Sequence, residues 1–373
     1  MARRYLYVFS FWMLLMGFLC AEHSDQSSDV RPLKILHISF HKGCIDDLRG
    51  VSKALSLHLT SWFIHEKPRG FLDGKTSGNA VYNIGYERAK DIWEKHREYF
   101  DTFDVIITSD TAPLSRVFLQ NGWKKPLIIW ICNHFDYYDG ESLDCDFPDK
   151  EYYDMFREAA QSPHVFMVAN NPFEHLYAKN KGIDTGDVTI PLCGAFFQPK
   201  RGFNFSTVLN KSEKFFLPSH YNETEFINLA QKCQELELPY HCGKDNGPLD
   251  LSGYKGIIHF PFSYTDYRFF ENIVVGVPYF IPSKTFLKQL AHDGYYSQIP
   301  MDDDLFTRYS EWYSPAHESI ITYFDSWEDL KEKIDTINFD ALKAAIKTHA
   351  EENKQVMFGR WNEIFNQCRL LLQ

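Results

Sequence analysis

No two cysteines in this chain stand in C-x-x-C spacing, so zinc-ribbon and thioredoxin-like readings have no footing. Positive charge is in deficit, with 39 Lys and Arg against 50 Asp and Glu and a net charge of -11. An acidic surface repels phosphate backbones, which excludes sequence-general nucleic-acid binding but leaves room for a local pocket that takes one nucleotide. Past residue 30 no apolar run reaches the ~20 residues that span a bilayer. The chain has no P-loop, no G-x-G-x-x-G, no G-x-S-x-G, no H-E-x-x-H and no short-period repeat. What is present is ordinary globular material, 44% hydrophobic and 24% charged, with an aromatic share of 16% that points to large ring contacts in the core. At ~150 residues per domain, 373 residues suggest two domains or one large one.

Residues 1–30 read separately. Arg3 and Arg4 precede an apolar run from Tyr5 to Cys20, and a polar, acidic stretch follows from Glu22 to Asp29. Basic end, apolar centre and polar exit describe a signal peptide or a short uncleaved signal anchor. Either reading places the rest in the secretory lumen (Golgi or ER), type II anchored or secreted, or, in a bacterium, membrane-anchored or exported. Of the remaining cysteines, Cys44 and Cys132 sit at the edges of apolar strands and read as packed small residues or as disulfide partners. Sequons at Asn204, Asn210 and Asn222 fit a surface segment in a glycosylating compartment.

Between residues 31 and 197, continuous apolar runs alternate with helical stretches. Lys34–Phe40, Leu57–Ile64, Asp104–Thr108, Pro126–Cys132, Val165–Ala169 and Val188–Pro191 read as strands. Asp46 is expected to cap a helix running toward Leu57, and Tyr86–Phe100, Ala112–Gln120, Tyr152–Ala160 and Pro172–Lys181 are expected to be helical. Strands that are apolar throughout belong to a parallel sheet covered on both faces. A polar linker spans 198–213, and the pattern restarts over 214–335: Lys214–Leu217, Pro239–Cys242, Lys255–Phe260 and Val277–Ile281 as strands, Asn222–Leu236 and Tyr267–Val275 as helices. Ser326 with Asp329 three residues on has capping-box spacing, and 336–373 reads as a helical tail.

In open parallel sheets ligands bind beyond the C-terminal ends of the strands, so the residues just after each strand are the candidates. The His41-Lys42-Gly43 turn would either offer helix N–H groups to a phosphate or carboxylate or be a plain turn. Asp110 is a functional carboxylate or a helix N-cap. His134 is a base or a structural histidine. Glu271 is an acceptor for a vicinal diol or a surface acid, and Arg268 one turn earlier pairs with it or faces a phosphate. Ser219, Lys244 and Ser263 lie after strands of the second half. Asp144-Cys145-Asp146 and Asp302-Asp303-Asp304 match D-x-D, a weak cation-binding pattern.

Tyr254–Pro261, Tyr267–Asn272 and Gly276–Ser283 together resemble the donor-binding segment of GT-B glycosyltransferases, in particular the glycogen-synthase-like retaining group. Tyr323–Leu330 is similar to the helix that follows in that group, and Phe358-Gly359-Arg360-Trp361 to the helix that crosses back to the first lobe. The resemblance implies a GT-B fold of two Rossmann-like lobes facing a cleft, an acceptor side over 31–197, a nucleotide-sugar donor side over 214–335 and a tail returning to lobe one. It implies transfer of a sugar from a nucleotide-sugar to a glycan or protein hydroxyl, with no metal or other cofactor. Glu271 would hold the donor ribose, with Arg268, Ser263, Lys244 and Ser219 around the donor. His41, Lys42 and Gly43 would lie near its phosphates or the acceptor, and His134 would touch the transferred sugar. Two departures stand out: Ser263 occupies the position of an upstream glutamate, and Ser219-His220-Tyr221 stands where a basic pair grips the diphosphate. Those departures keep two alternatives open, a catalytically inactive GT-B fold and an exported two-lobe ligand-binding protein.

Overall fold

The structure, a computed structural model, describes residues 31–64, 84–137, 149–195, 213–218, 227–292 and 303–373. Lys34–Gln373 groups as one unit, separate from Met1–Leu33.

Five parallel strands make the first sheet: β1 (Lys34–Ser39), β2 (His58–Phe63), β3 (Val105–Asp110), β4 (Leu127–Ile131) and β5 (Val165–Ala169), in the order β2-β1-β3-β4-β5. The runs Val105–Asp110 and Leu127–Ile131 are buried along their whole length, as the absence of polar alternation predicts for a sheet covered on both faces. Its helices are α1 (Lys42–Ala54), α2 (Tyr86–Phe100), α3 (Arg116–Leu119), α4 (Lys150–Ala159) and α5 (Pro172–Asn180). A 3₁₀ turn, Ala112–Ser115, precedes α3, so the expected helix Ala112–Gln120 forms in two pieces. Val188–Pro191 is not a strand: it contributes an isolated bridge from Thr189 to Ala169.

The second sheet holds β6 (Phe215–Pro218), β7 (Tyr240–Gly243), β8 (Gly256–Ile258), β9 (Tyr279–Pro282) and β10 (Ile321–Phe324), ordered β10-β9-β8-β6-β7. Around it run α6 (Leu229–Glu235), α7 (Pro248–Leu251), α8 (Tyr267–Val274), α9 (Lys284–His292), α10 (Asp303–Tyr309), α11 (Trp327–Thr336) and α12 (Phe339–Leu371). Sequence reading misses β10: Ile321 and Thr322 stay unassigned, and Tyr323-Phe324 falls in the stretch likened to a following helix. The Ser326 cap itself is present: its Oγ accepts from Asp329 N at 3.1 Å, while the Asp329 carboxylate accepts from Asp325 N.

Both orders reverse direction at the first strand of the sheet, between β1 and β3 and between β6 and β8. These are the topological switch points at which ligands settle in doubly wound sheets. The architecture is GT-B: two Rossmann-like lobes and a terminal helix that returns to the first. Trp361 of α12 meets Trp130 of β4 edge to face at 5.2 Å, with both rings fully buried, and Arg360 donates to Thr189 O at 2.8 Å. The lobes also touch directly, where Phe173 stacks on Tyr264 at 3.8 Å and Asn171 donates to Tyr309 O at 2.9 Å. Among the described residues no helix is long and apolar enough to cross a membrane; the leader, the three sequons and the linker up to residue 212 lie outside them.

Candidate active site

The helix after β1 begins four residues before the expected Asp46 cap. His41 is the N-cap, with extended backbone, and its Nδ1 accepts from Gly43 N at 3.0 Å. The Gly43 N–H is therefore taken, which corrects the expectation that this turn offers it to a phosphate. Gly43 has a local packing reason to be glycine. A Cβ there would stand 2.9 Å from both Cε1 and Nδ1 of His41. Because Nδ1 accepts, the neutral ring carries its proton on Nε2.

His41 packs across the cleft on Tyr267, the first residue of α8, with ring centroids 4.1 Å apart. Below this contact lies Cys44, whose Sγ is 3.4 Å from the Tyr267 hydroxyl and 3.8 Å from Cys132 Sγ. Burial pushes the His41 pKa down, but Cys44, Asp110 and Glu271 outweigh it and leave it raised. Burial pushes the Tyr267 hydroxyl well above its usual range.

Asp110 ends β3 at the switch point, buried, with φ of +75°. A non-glycine residue in that region is uncommon and is held there only by its surroundings. They are visible: Asn133 Nδ2 donates to Asp110 Oδ1 at 2.8 Å, and Cys132 N and Asn133 N both donate to Asp110 O. The N-cap of the next turn is Thr111, so Asp110 is not the cap that the sequence allows. Burial raises its carboxyl to about 7, with the Cys44 charge adding to the rise and His41 and Asn133 opposing it.

The opposite wall is α8. Its N-cap Asp266 accepts from Arg268 N at 2.9 Å, and burial raises the Asp266 carboxyl against the pull of that hydrogen bond and of Arg268. Glu271, one turn in, is raised by burial, with Arg268 and His41 opposing and Asp266 and Asp46 adding. Behind the site Asp47 is buried in α1 and accepts from Ala195 N at 2.9 Å and Cys193 N at 3.3 Å. Gly194 between them has φ of +63°, and a Cβ would lie 2.6 Å from Phe270 O. That close approach seats the chain leaving the first lobe against α8.

The sequence candidates divide sharply. Asp110, His41, Gly43 and Glu271 are brought together. His134 is not part of that group: among the described residues its ring meets α5, with Nδ1 3.1 Å from Glu174 Oε2 and the ring stacked on Tyr177 at 3.8 Å. Lys42 pairs with Asp46 along the exposed face of α1. Arg268 forms an ion pair with Asp245 at 2.6 Å rather than with Glu271. Ser263 donates to Thr265 O within its own loop, and Lys244 is exposed just past β7. Ser219, Asp144-Cys145-Asp146 and Asp302 lie outside the described residues, and Asp304 pairs with Lys288. Sequence reasoning missed Cys44, Asp266 and Tyr267 as site residues; Asn133 was among the residues it placed just after a strand. The signal for the first was present: once His41 caps the helix, Cys44 stands three residues on, facing the same end. A separate cavity of about 970 Å³, lined by Val165, Pro191, His317, His349 and Arg360 among others, shares none of these residues.

Compared with models of known protein families and with curated protein sequences, the chain matches none. Solved structures of similar outline include UGT89C1 of Arabidopsis thaliana complexed with UDP, at 11% identity and a TM-score of 0.44, covering 91% of this chain and 100% of that one. CalG4, the calicheamicin glycosyltransferase, aligns at 10% identity and a TM-score of 0.39, over 90% of this chain and 97% of its own. UDP-GlcNAc 2-epimerase from Neisseria meningitidis, bound to UDP-GlcNAc, aligns at 9% identity and 0.42, over 89% and 100%. Likenesses at this level add nothing to the strand order, on which the fold assignment rests.

Proposed function

We propose that the chain is a glycosyltransferase that moves a sugar from a nucleotide-sugar to a hydroxyl acceptor in the cleft between its lobes. The observation that supports this most is Asp110. It is a buried carboxyl at the switch point of the first sheet, held at positive φ, with a pKa near 7. Its pKa matches what a base working near neutral pH requires. In this reading Asp110 takes the proton of the acceptor hydroxyl as that oxygen attacks the sugar carbon and the diphosphate leaves. Asn133 fixes one carboxylate oxygen, so the other is the proton acceptor. His41 Nε2–H is a hydrogen-bond donor to the sugar or to the departing oxygen, aimed by its Gly43 contact and its stack on Tyr267. Glu271 accepts from the ribose diol of the donor. Most of the rate then comes from holding donor and acceptor in register in a site closed to water.

The state of Arg268 favours a second reading. With that guanidinium engaged by Asp245, a diphosphate has to compete for it, and a fold that binds a glycan without transferring a sugar has no such need. Thermal unfolding of residues 31–373 with UDP, GDP, ADP and CMP separates the two. One nucleotide at ~100 times its dissociation constant is expected to add ~2.7 kcal/mol of stability, and Glu271→Ala is expected to abolish the shift. No shift with any nucleotide would sink the transferase reading and leave the glycan-binding one.

A further inference from the structure

Cys44 and Cys132 take no part in the chemistry above, yet their sulfurs lie 3.8 Å apart at the floor of the cleft. They come from the first turn of α1 and the end of β4, 88 residues apart in sequence, and both are buried as free thiols. A disulfide needs about 2.05 Å between sulfurs, and rotation about the Cα–Cβ bond of each cysteine is the movement that carries its sulfur toward the other. Above them sits the Tyr267 hydroxyl, which belongs to the opposite lobe and is 3.4 Å from Cys44 Sγ. We propose that Cys44 and Cys132 form a dithiol–disulfide pair that controls how firmly Tyr267 closes the cleft.

The two thiols differ in readiness. Burial alone pushes Cys44 up, but hydrogen bonds with Cys132, His41 and Tyr267 more than offset it and hold the thiol well below its ordinary range. Burial leaves Cys132 well above that range. The first turn of a helix beside a histidine is an environment that favours thiolate. Cys44 is accordingly the attacking sulfur and Cys132 the resolving one. With an azo oxidant such as diamide, the Cys44 thiolate adds to one nitrogen of the N=N bond and the other nitrogen is protonated. Cys132 then attacks Cys44 Sγ, forms the S–S bond and expels the hydrazine, which retains the two electrons and, overall, the two thiol protons. A disulfide-bearing oxidant would accept the same two electrons and two protons by exchange.

The consequence falls on Tyr267. A disulfide has no S–H and no thiolate, and its sulfurs are poorer acceptors. The buried Tyr267 hydroxyl loses its partner, and an unpaired buried hydroxyl favours whatever movement returns it to water. Because His41 rests on the same ring, oxidation loosens both walls of the site.

The test uses the full chain, reduced and then treated with diamide, with remaining thiols alkylated after denaturation and the digest read by mass spectrometry. The expected product is a peptide holding Cys44 linked to one holding Cys132, absent in Cys132→Ser and lost on adding dithiothreitol. Finding both cysteines alkylated at a dose that fully modifies the exposed Cys242 would overturn the proposal. The second arm rests on the transferase reading and measures nucleoside diphosphate affinity in both redox states. Oxidation is expected to weaken it at least five-fold in the parent and not in Cys132→Ser. Equal affinity in the two states would remove the coupling to the site. A linked peptide with no nucleotide binding in either state would leave the pair intact and count against the transferase reading alone.

Discussion

The first sheet is built from strands of five or six residues, and the second from strands of three or four. The difference extends to the cleft. From the first lobe come the ends of β1, β3 and β4, which carry His41, Asp110 and Cys132-Asn133; of these strands β3 and β4 are buried along their whole length. From the second lobe comes one short helix, α8, which carries Asp266, Tyr267 and Glu271. Its nearby cation is already spent on Asp245. Buried strands paired on both sides hold their side chains in place, whereas a short helix held by caps and by the Phe269–Trp312 contact can tilt as a unit. The first lobe is thus suited to chemistry and the second to covering and gripping.

The sharpest way to break that contrast is a pair of substitutions, one in each lobe. If Asp110 is the base, Asp110→Asn should lower sugar transfer by ~10²–10⁴-fold with little change in nucleotide affinity, because it keeps the shape and the Asn133 neighbour but not the proton-accepting charge. Arg268→Ala, at an exposed ion pair, should change turnover much less and act on nucleotide affinity. Steady-state kinetics with separate kcat and KM values check both. Equal losses in kcat at the two positions would erase the division between the lobes.

The same contrast marks what was legible in the sequence. Continuous apolar runs such as Val105–Thr108 and Leu127–Ile131 announced a buried parallel sheet, and the helix Tyr86–Phe100 was readable to the residue. Short strands were less so. Ile321–Phe324 carries only four residues of signal, too few to stand out from the helix that follows. In the site, position after a strand led to His41 and Asp110, which lie close together in the cleft, because the switch point is a property of chain order. It does not bring His134, one residue past Asn133, into that group, because a strand end does not say which way the next side chain turns. Here the α5 pair Glu174 and Tyr177 takes the ring. Tyr267 was out of reach for another reason: its meaning lies in a contact with Cys44, 223 positions away.

A second prediction concerns pH and sets the first lobe's buried acids against the rest of the molecule. Asp47 and Asp110 both have folded-state pKa values near 7 against a reference of 3.8. For an acid whose pKa rises on folding, the folded state holds the proton more tightly. The stabilisation is therefore present at low pH and falls as pH rises from about 4 to about 7, after which both states are ionised. Each group should cost on the order of 2 kcal/mol between pH 5 and pH 7. Denaturant titrations across that range should show stability falling, and Asp47→Asn should flatten the part of the slope that belongs to Asp47. An unchanged slope in that variant would place the carboxyl's ionisation outside this window.

The smallest expected effect on stability is the most informative about geometry. Replacing Gly43 by Ala puts a methyl 2.9 Å from the His41 ring, a contact that only movement of that ring can relieve. In a helical position alanine is favoured over glycine by up to ~1 kcal/mol, which offsets the cost of moving a side chain at the cleft edge. Stability should then stay within ~1 kcal/mol of the parent. His41, however, would leave its stack on Tyr267, and with it the aim of Nε2. Turnover should fall several-fold at nearly constant melting temperature. If instead turnover held while stability dropped, the His41 ring would be serving the helix as a cap and not the cleft as a donor. The first lobe's contribution would then reduce to Asp110 and the residues that hold it.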